Sequence, residues 1–251
     1  MSRKVALITG PTAGIGHEFA VQLAHRGYDL VLVARNAERL EEVAREVSKR
    51  GAAAEIIVAD LSKRVDLKKV ERRLAKSPVD LLVNNAGFGH KHPFLDNSVD
   101  DETAMLDVLV TAVLRLSHVA LTGMVARGSG GIINVSSVAG QVPRGTYSAA
   151  KAYVTRFSEW ADLTYRDQGV RVMALLPGFT KTEFHERIEV SRDSAPKWMW
   201  LEAPDLVRDA LSDFDKGKRV SVPSLRYKAL ATVATYTPSS VLARFQKLGR
   251  R

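Results

Sequence analysis

Short apolar runs rich in β-forming residues recur along the chain, and between them lie segments whose apolar positions repeat at helical spacing. The runs are Lys4 to Thr9 (KVALIT), Asp29 to Ala34 (DLVLVA), Glu55 to Ala59 (EIIVA), Val79 to Val83 (VDLLV), Gly131 to Val135 (GIINV), Val170 to Leu176 (VRVMALL) and Arg219 to Val222. Helices are predicted over His17 to Arg26, Glu38 to Arg50, Leu67 to Lys76, Ala104 to Ala126, Tyr147 to Asp167 and Leu206 to Phe214. The second run has no polar alternation, as in a strand buried on both faces. Ala104 to Ala126 is apolar round most of its circumference, interrupted by Asp107, Arg115 and His118. Charges at membrane depth are costly, so a helix buried against a sheet and a neighbouring subunit is expected there, not a span. His118 is then expected as a packed core or interface residue.

The chemistry is carried by the turns that end these runs. Gly10-Pro11-Thr12-Ala13-Gly14-Ile15-Gly16 follows the first run and opens the first helix. Strand, glycine turn and helix in that order suit a phosphate cradle, because glycines let backbone N–H groups approach a pyrophosphate at a helix N-terminus. A plain chain reversal is the alternative. The second run ends at Ala34-Arg35, where dinucleotide sites for NAD place an acid, and Arg39 stands a turn further on. A guanidinium there suits a 2′-phosphate, so NADP(H) is expected in preference to NAD(H), unless Arg35 is only a solvated strand end. Asp60-Leu61 closes the third run, and Asp60 serves either an adenine amine or a helix cap. Asn84-Asn85-Ala86-Gly87 closes the fourth, over the expected cofactor crevice.

Ser136 and Ser137 end the fifth run, and ten residues after Ser137 comes Tyr147-x-x-x-Lys151. If Tyr147 begins a helix, Lys151 lies one turn on and on the same face. A phenol in water holds its proton to about pH 10, and a nearby ammonium lowers that value. Tyr147 is thereby expected as an acid and base near neutrality, with Ser137 bonding the oxygen that is reduced or oxidised. His90-Lys91-His92 has no acid or third histidine placed to complete a metal site and reads as an exposed loop beside the pocket, so no metal is expected.

Composition narrows the class without naming the chemistry. At 251 residues, 45% hydrophobic and 26% charged, the chain has the size and make-up of one globular α/β domain. It has no cysteine, which excludes disulfides and thiolate metal sites. A first strand beginning at Lys4 leaves no room for a leader, and a cytoplasmic location is expected. The net charge is +9, and residues 216–251 alone hold nine Lys and Arg and no acid. A basic tail on a neutral body is not the footprint of a nucleic-acid reader. Peripheral contact with an anionic membrane through this tail is one reading, and a solvated tail is the other.

Taken together, Thr9-Gly10-x-x-x-Gly14-x-Gly16, Asn84 to Gly87, Ser137, Tyr147-x-x-x-Lys151 and Pro177-Gly178 resemble the short-chain dehydrogenase/reductase family. The motifs stand in that family's order, and the likeness runs over about residues 4–222. It implies a single doubly wound Rossmann-fold domain, with a seven-stranded parallel sheet flanked by helices, holding NAD(P)(H). By the same likeness Ser137, Tyr147 and Lys151 are catalytic. The cofactor would meet Gly10, Thr12, Gly14, Ile15, Gly16, Arg35, Asp60, Leu61, Asn85, Ala86, Gly87, Tyr147 and Lys151. It would also meet the turn Pro177, Gly178, Phe179 and Thr182, through the Phe179 backbone and the Thr182 hydroxyl. Family members commonly pair through the long apolar helix, so a homodimer or homotetramer is expected.

The domain is expected over 1–222, with an aromatic substrate lid near 183–202, and a basic, partly apolar extension over 223–251. Two departures from the family pattern stand out. Leu109 occupies the place of the usual asparagine, whose water links the lysine to solvent, and the loop from Ser137 to Tyr147 is short. That loop puts Arg144 near the substrate mouth. The function expected is an NADP(H)-dependent oxidoreductase interconverting a carbonyl and an alcohol on a lipophilic or acyl-type substrate. The alternative is a catalytically weak NADP(H)-binding sensor or scaffold.

Overall fold

The computed structural model describes residues 3–183, 196–224 and 226–229. Most of the expected lid and nearly all of the basic tail, 184–195, 225 and 230–251, lie outside the described residues. Seven strands form one sheet: β1 (Lys4–Thr9), β2 (Tyr28–Ala34), β3 (Ala54–Val58), β4 (Leu81–Asn84), β5 (Gly130–Val135), β6 (Val170–Leu175) and β7 (Val220–Ser221). Their order is β3-β2-β1-β4-β5-β6-β7, and every pair is parallel. The fold is the expected doubly wound α/β sheet. Strand order reverses between β1 and β4, the place where such sheets open a crevice beyond their carboxyl ends.

Helices α1 (Gly14–His25), α2 (Ala37–Ser48), α3 (Arg64–Lys76), α4 (Val99–Leu106), α5 (Ala112–Arg127), α6 (Thr146–Tyr165) and α7 (Ala203–Asp215) cover both faces. The period of two in the strands sorts the core into two layers. Ala6 and Ile8 of β1 and Leu30 and Leu32 of β2 pack with Phe19, Leu40 and Leu206, under α1, α2 and α7. Leu7, Val31 and Val33 point the other way and pack with Val70, Leu116 and Ala161, under α3, α5 and α6.

Several boundaries differ from the pattern for local reasons. The fourth strand starts at Leu81 because Asp80 turns to β1: its carboxylate accepts from the Val5 N–H at 2.7 Å. The long apolar helix begins at Val99, where the Ser98 hydroxyl accepts from the Asp101 N–H. Between α4 and α5 the helix widens into a π turn over Asp107–Thr111, and Leu109 lies in it, buried. The stretch Val99–Arg127 is long enough, and apolar enough over part of its length, to cross a membrane. Its packing in the second core layer accounts for that apolar character. Arg115 faces α3 and pairs with Glu71, with Nη2 and Oε2 2.9 Å apart. His118 is exposed, which removes the core half of its expected core-or-interface role.

The far edge of the sheet is held by one buried carboxylate. Asp162, fully buried in α6, accepts from the Val172 N–H at 3.0 Å and pairs with Arg166 and Arg219. That joins α6 to β6 and to the residue before the short β7.

Candidate active site

The turns after β1 and β4 are stitched together. Thr9 Oγ1 accepts from the N–H groups of Asn85 and Ala86 at 3.0 Å, and Asn85 Nδ2 donates to the carbonyls of Thr9 and Gly10, also at 3.0 Å. Gly10 and Gly14 have φ of 68° and 55°, a region that favours glycine. A Cβ on Gly16 would stand 2.1 Å from the Gly10 carbonyl oxygen and 2.3 Å from Asn85 Nδ2. Thr182 closes over the turn, 2.7 Å from where a Cβ on Gly14 would lie. The N-terminus of α1 has no side-chain cap and no acid in its first turn. Its N–H groups thus face the glycine turn with their dipole uncompensated, which fits a pyrophosphate and hence a dinucleotide.

Around this turn, Ile15 packs on the first core layer and Leu61 is buried. Thr12 borders a small cavity with His17, Arg39 and Glu183. Arg35 is exposed at the end of β2 and makes no hydrogen bond or ion pair within the described residues, whereas Arg39 pairs with Glu183 at 2.8 Å. Asp60 closes a local turn ahead of α3 and does not cap it, since the N-cap is Lys63 with no side-chain bond: its Oδ1 accepts from the Ser62 N–H and hydroxyl at 3.0 and 2.8 Å.

Strand β5 delivers two serines with different fates. Ser136 is buried and bonds the Lys151 carbonyl and Thr155, which ties β5 to α6. Ser137 caps the short turn Val138–Gln141, and its hydroxyl bonds the Tyr147 phenol. Gly140 in that turn lies so close to α6 that a Cβ would stand 2.8 Å from the Ala152 nitrogen, so the short loop is pressed onto the helix. The Lys151 Nζ is 5.7 Å from the centre of the Tyr147 ring and donates to the Val135 carbonyl at 2.8 Å. The two side chains share a face, one turn apart, and Gly87 and Leu109 stand beside them.

The electrostatics of the chain alone run against the expected lowering of the phenol. Desolvation pushes Tyr147 up to about 12 in spite of the Ser137 bond, and it pulls Lys151 down to about 8. Between about pH 8 and 10.5 the unfolded chain therefore binds more protons at Lys151 than the folded one. The cost of burying this lysine is full below pH 8 and is relieved as pH rises through that window. Tyr147 acts in the opposite sense, losing stability for the fold as pH rises from 10 towards 12. Lys151→Met should accordingly be more stable than wild type at about pH 7, and should lose the rise in stability from about pH 8 to 9.5. Urea titrations at these pH values check it; a variant less stable at neutrality with the wild-type slope contradicts it.

A cleft of about 190 Å³ opens beside Tyr147. His90, His92 and Arg144 stand on its rim, as expected for that loop, and Glu102, Met105 and Thr146 line it further in. Among the described residues there is no cluster of side chains able to hold a metal. The Pro177 to Thr182 turn is held by a residue far along the chain. The Phe179 N–H donates to the Tyr227 hydroxyl at 2.9 Å and its carbonyl accepts from the Leu201 N–H at 2.8 Å, so the N–H is engaged within the chain and the carbonyl keeps one accepting lone pair.

Tyr227, which the pattern assigned to the tail, is buried against Gly178, where a Cβ would lie 2.1 Å from its ring, and its hydroxyl donates to the Met199 carbonyl. Two further residues went unread. Asn134 sits in an apolar strand and links Asn84 to Ser158, and its polarity within GIINV was the available signal. Glu102 was masked by its acidic neighbours.

The profile of the short chain dehydrogenase family matches residues 4–193. A very-long-chain 3-oxoacyl-CoA reductase of Anas platyrhynchos is 34% identical over 79% of this chain and 66% of its own length, so the chain spans just under two thirds of that relative. Among solved structures, a short-chain dehydrogenase from Sphingobium yanoikuyae in complex with NADPH superposes with a TM-score of 0.85 at 34% identity, covering 92% of this chain and 93% of that one. The bulky-bulky ketone specific alcohol dehydrogenase from Comamonas testosteroni gives 0.82 at 30% identity, over 93% and 92%. With this sheet order, glycine turn and Ser-Tyr-Lys cluster, the chain belongs to the short-chain dehydrogenase/reductase family of Rossmann-type, nucleotide-binding oxidoreductases.

Proposed function

We propose that the chain interconverts a carbonyl and an alcohol on a lipophilic or acyl-type substrate with NADP(H), Tyr147 serving as acid and base. The observation that carries this reading is the Tyr147 phenol, bonded to Ser137, with the Lys151 Nζ 5.7 Å from its ring, lining a cleft. The names of the duck reductase and the Comamonas ketone enzyme support the substrate class, and the NADPH of the Sphingobium enzyme supports the cofactor.

When bound, the cofactor supplies a hydride to the carbonyl carbon. The chain supplies the rest. Ser137 holds the carbonyl oxygen beside the phenol, and Tyr147 gives that oxygen its proton. Burial keeps the phenol protonated at neutral pH, which is the form carbonyl reduction consumes. The Lys151 ammonium then offsets the charge left on the phenolate. Gly10, Gly14, Gly16 and the α1 N-terminus hold the pyrophosphate. Asn85, Ala86, Gly87 and Thr182 border the reactive end.

Arg35 selects the 2′-phosphate in this reading. Loss of a charge-assisted bond of about 2 kcal/mol predicts that Arg35→Ala weakens NADPH roughly 30-fold and NADH less than about twofold. Fluorescence titration measures both, and equal losses would remove Arg35 from the role. The competing reading, a sensor or scaffold, draws on Leu109: it is buried and apolar where a proton relay needs a polar group. Turnover of ketones and aldehydes by the wild-type chain excludes it, and tight NADPH binding without turnover on any of them establishes it.

We infer that the homodimer expected through the long apolar helix, where Leu114 is exposed, also uses the outer face of α6. Tyr153, Trp160 and Leu163 are exposed there, and Phe157 stacks on Tyr153 at 6.0 Å. An aromatic stripe of this kind marks an interface. Trp160→Glu with Leu163→Glu should convert a dimer to a monomer in sedimentation velocity. A wild-type monomer, or a variant that stays dimeric, contradicts the assignment.

A further inference from the structure

Glu102 lies in the first turn of α4 behind two exposed acids, Asp100 and Asp101, but is itself only 6% exposed. Burying a carboxylate costs free energy that its hydrogen bonds must offset. Within the described residues it makes no ion pair, and its two oxygens take two neutral donors. Oε1 accepts from Asn97 Nδ2 at 2.7 Å, and Oε2 accepts from the Thr146 hydroxyl. Thr146 lines the cleft beside Tyr147, as do His90, His92 and Phe94. Asn97 stands behind that last segment, and its amide also bonds the His92 carbonyl at 3.3 Å.

Thr146 is the first residue of α6, and Tyr147 follows it. The start of α6 has no side-chain cap and no acid of its own, and its N-cap is Gly145 at φ 97°. The bond from the Thr146 hydroxyl to Glu102 ties that helix end to α4. The feature therefore reaches from the substrate loop to the backbone that carries the phenol.

We propose that Glu102 is a positioning residue: it braces the His90–Asn97 segment against the N-terminus of α6 and so fixes both the cleft width and the attitude of the Tyr147 phenol. It acts through Thr146 and Asn97, without contact with the reacting atoms. The proposal rests on the oxidoreductase reading for its effect on rate, and on geometry alone for its effect on structure. A glutamine can keep both contacts, its oxygen accepting from Asn97 and its amide donating to Thr146. An alanine keeps neither. Displacement of a reacting group by about 1 Å costs on the order of 100-fold in rate.

The test compares wild type with Glu102→Gln, Glu102→Ala, Thr146→Val and the double variant of the last two. Steady-state reduction of bulky and small ketones, NADPH binding by fluorescence and amide exchange of residues 143–150 are read together. Expected are a loss in kcat of about 30-fold or more for Glu102→Ala, with NADPH binding within about twofold. Thr146→Val should lose about fivefold or more, the double variant no more than Glu102→Ala, and Glu102→Gln less than about threefold. Exchange at 143–150 should rise about tenfold in Glu102→Ala and stay near wild type in Glu102→Gln.

Wild-type rates and exchange in Glu102→Ala overturn the brace, as does a Glu102→Gln variant as impaired as the alanine. If Glu102→Ala does not fold, Thr146→Val decides, and wild-type kcat in it overturns the proposal. A wild-type chain that reduces no substrate defeats the oxidoreductase reading, and amide exchange then decides the brace by itself.

Discussion

Tyr147→Phe is expected to lower carbonyl reduction by about 1,000-fold while NADPH binding changes by less than about threefold, the range for losing one positioned general acid. The substitution removes one oxygen. The ring stays packed against Met105, Leu109 and Ala150, so the fold and cleft persist. What disappears is the proton donor and the bond to Ser137. With the phenol held up to about 12 by burial, it is protonated throughout the neutral range. The wild-type reduction rate should therefore show no loss attributable to phenol ionisation between about pH 6 and 8. Steady-state NADPH oxidation and fluorescence titration of the same samples measure the two effects. A phenylalanine variant within about tenfold of wild type would take Tyr147 out of the proton transfer.

Gly16→Ala carries the second large effect, on the cofactor and on the fold together. The added carbon would meet the Gly10 carbonyl oxygen at 2.1 Å and Asn85 Nδ2 at 2.3 Å, and the first of these is backbone that cannot turn aside. Relief requires the glycine turn to part from the Asn85 turn, breaking the bonds from Asn85 Nδ2 to Thr9 and Gly10. Overpacking of this kind costs about 1–3 kcal/mol. The α1 N-terminus moves with the turn, so NADPH should bind on the order of 100-fold more weakly. Urea unfolding and NADPH titration check the two parts. Wild-type affinity in a folded Gly16→Ala variant would show that the turn does not cradle the pyrophosphate.

Local signals in the chain reached the strands and the turns that end them, because a strand buried on both faces needs an unbroken apolar run and each turn needs its glycine or small polar residue. Phe19, Leu40 and Leu206 fell on predicted helices for the same reason. Longer-range partners were not legible. Nothing local in residues 223–229 shows that Tyr227 reaches the Phe179 N–H. Family likeness puts the Phe179 backbone beside a carboxamide, and its N–H is bonded in the folded chain by a hydroxyl from 48 residues on. Glu102 sits in an acidic run that reads as solvated, and only the fold shows its burial against Asn97 and Thr146. The Tyr147 phenol was expected to fall because Lys151 was counted as a charge. In the folded chain that lysine is itself desolvated and bonded to Val135, and burial decides the direction for both groups.

Deuterium transfer is the most direct measurement. NADPH deuterated at nicotinamide C4, on either face, is incubated with the wild-type chain and a panel of bulky ketones and acyl-type carbonyl compounds. The alcohols formed are then examined by mass spectrometry. A product carrying deuterium at the carbinol carbon, formed by wild type and lost in Tyr147→Phe, is the predicted result. A chain that binds NADPH but forms no deuterated alcohol from any member of the panel would contradict the assignment.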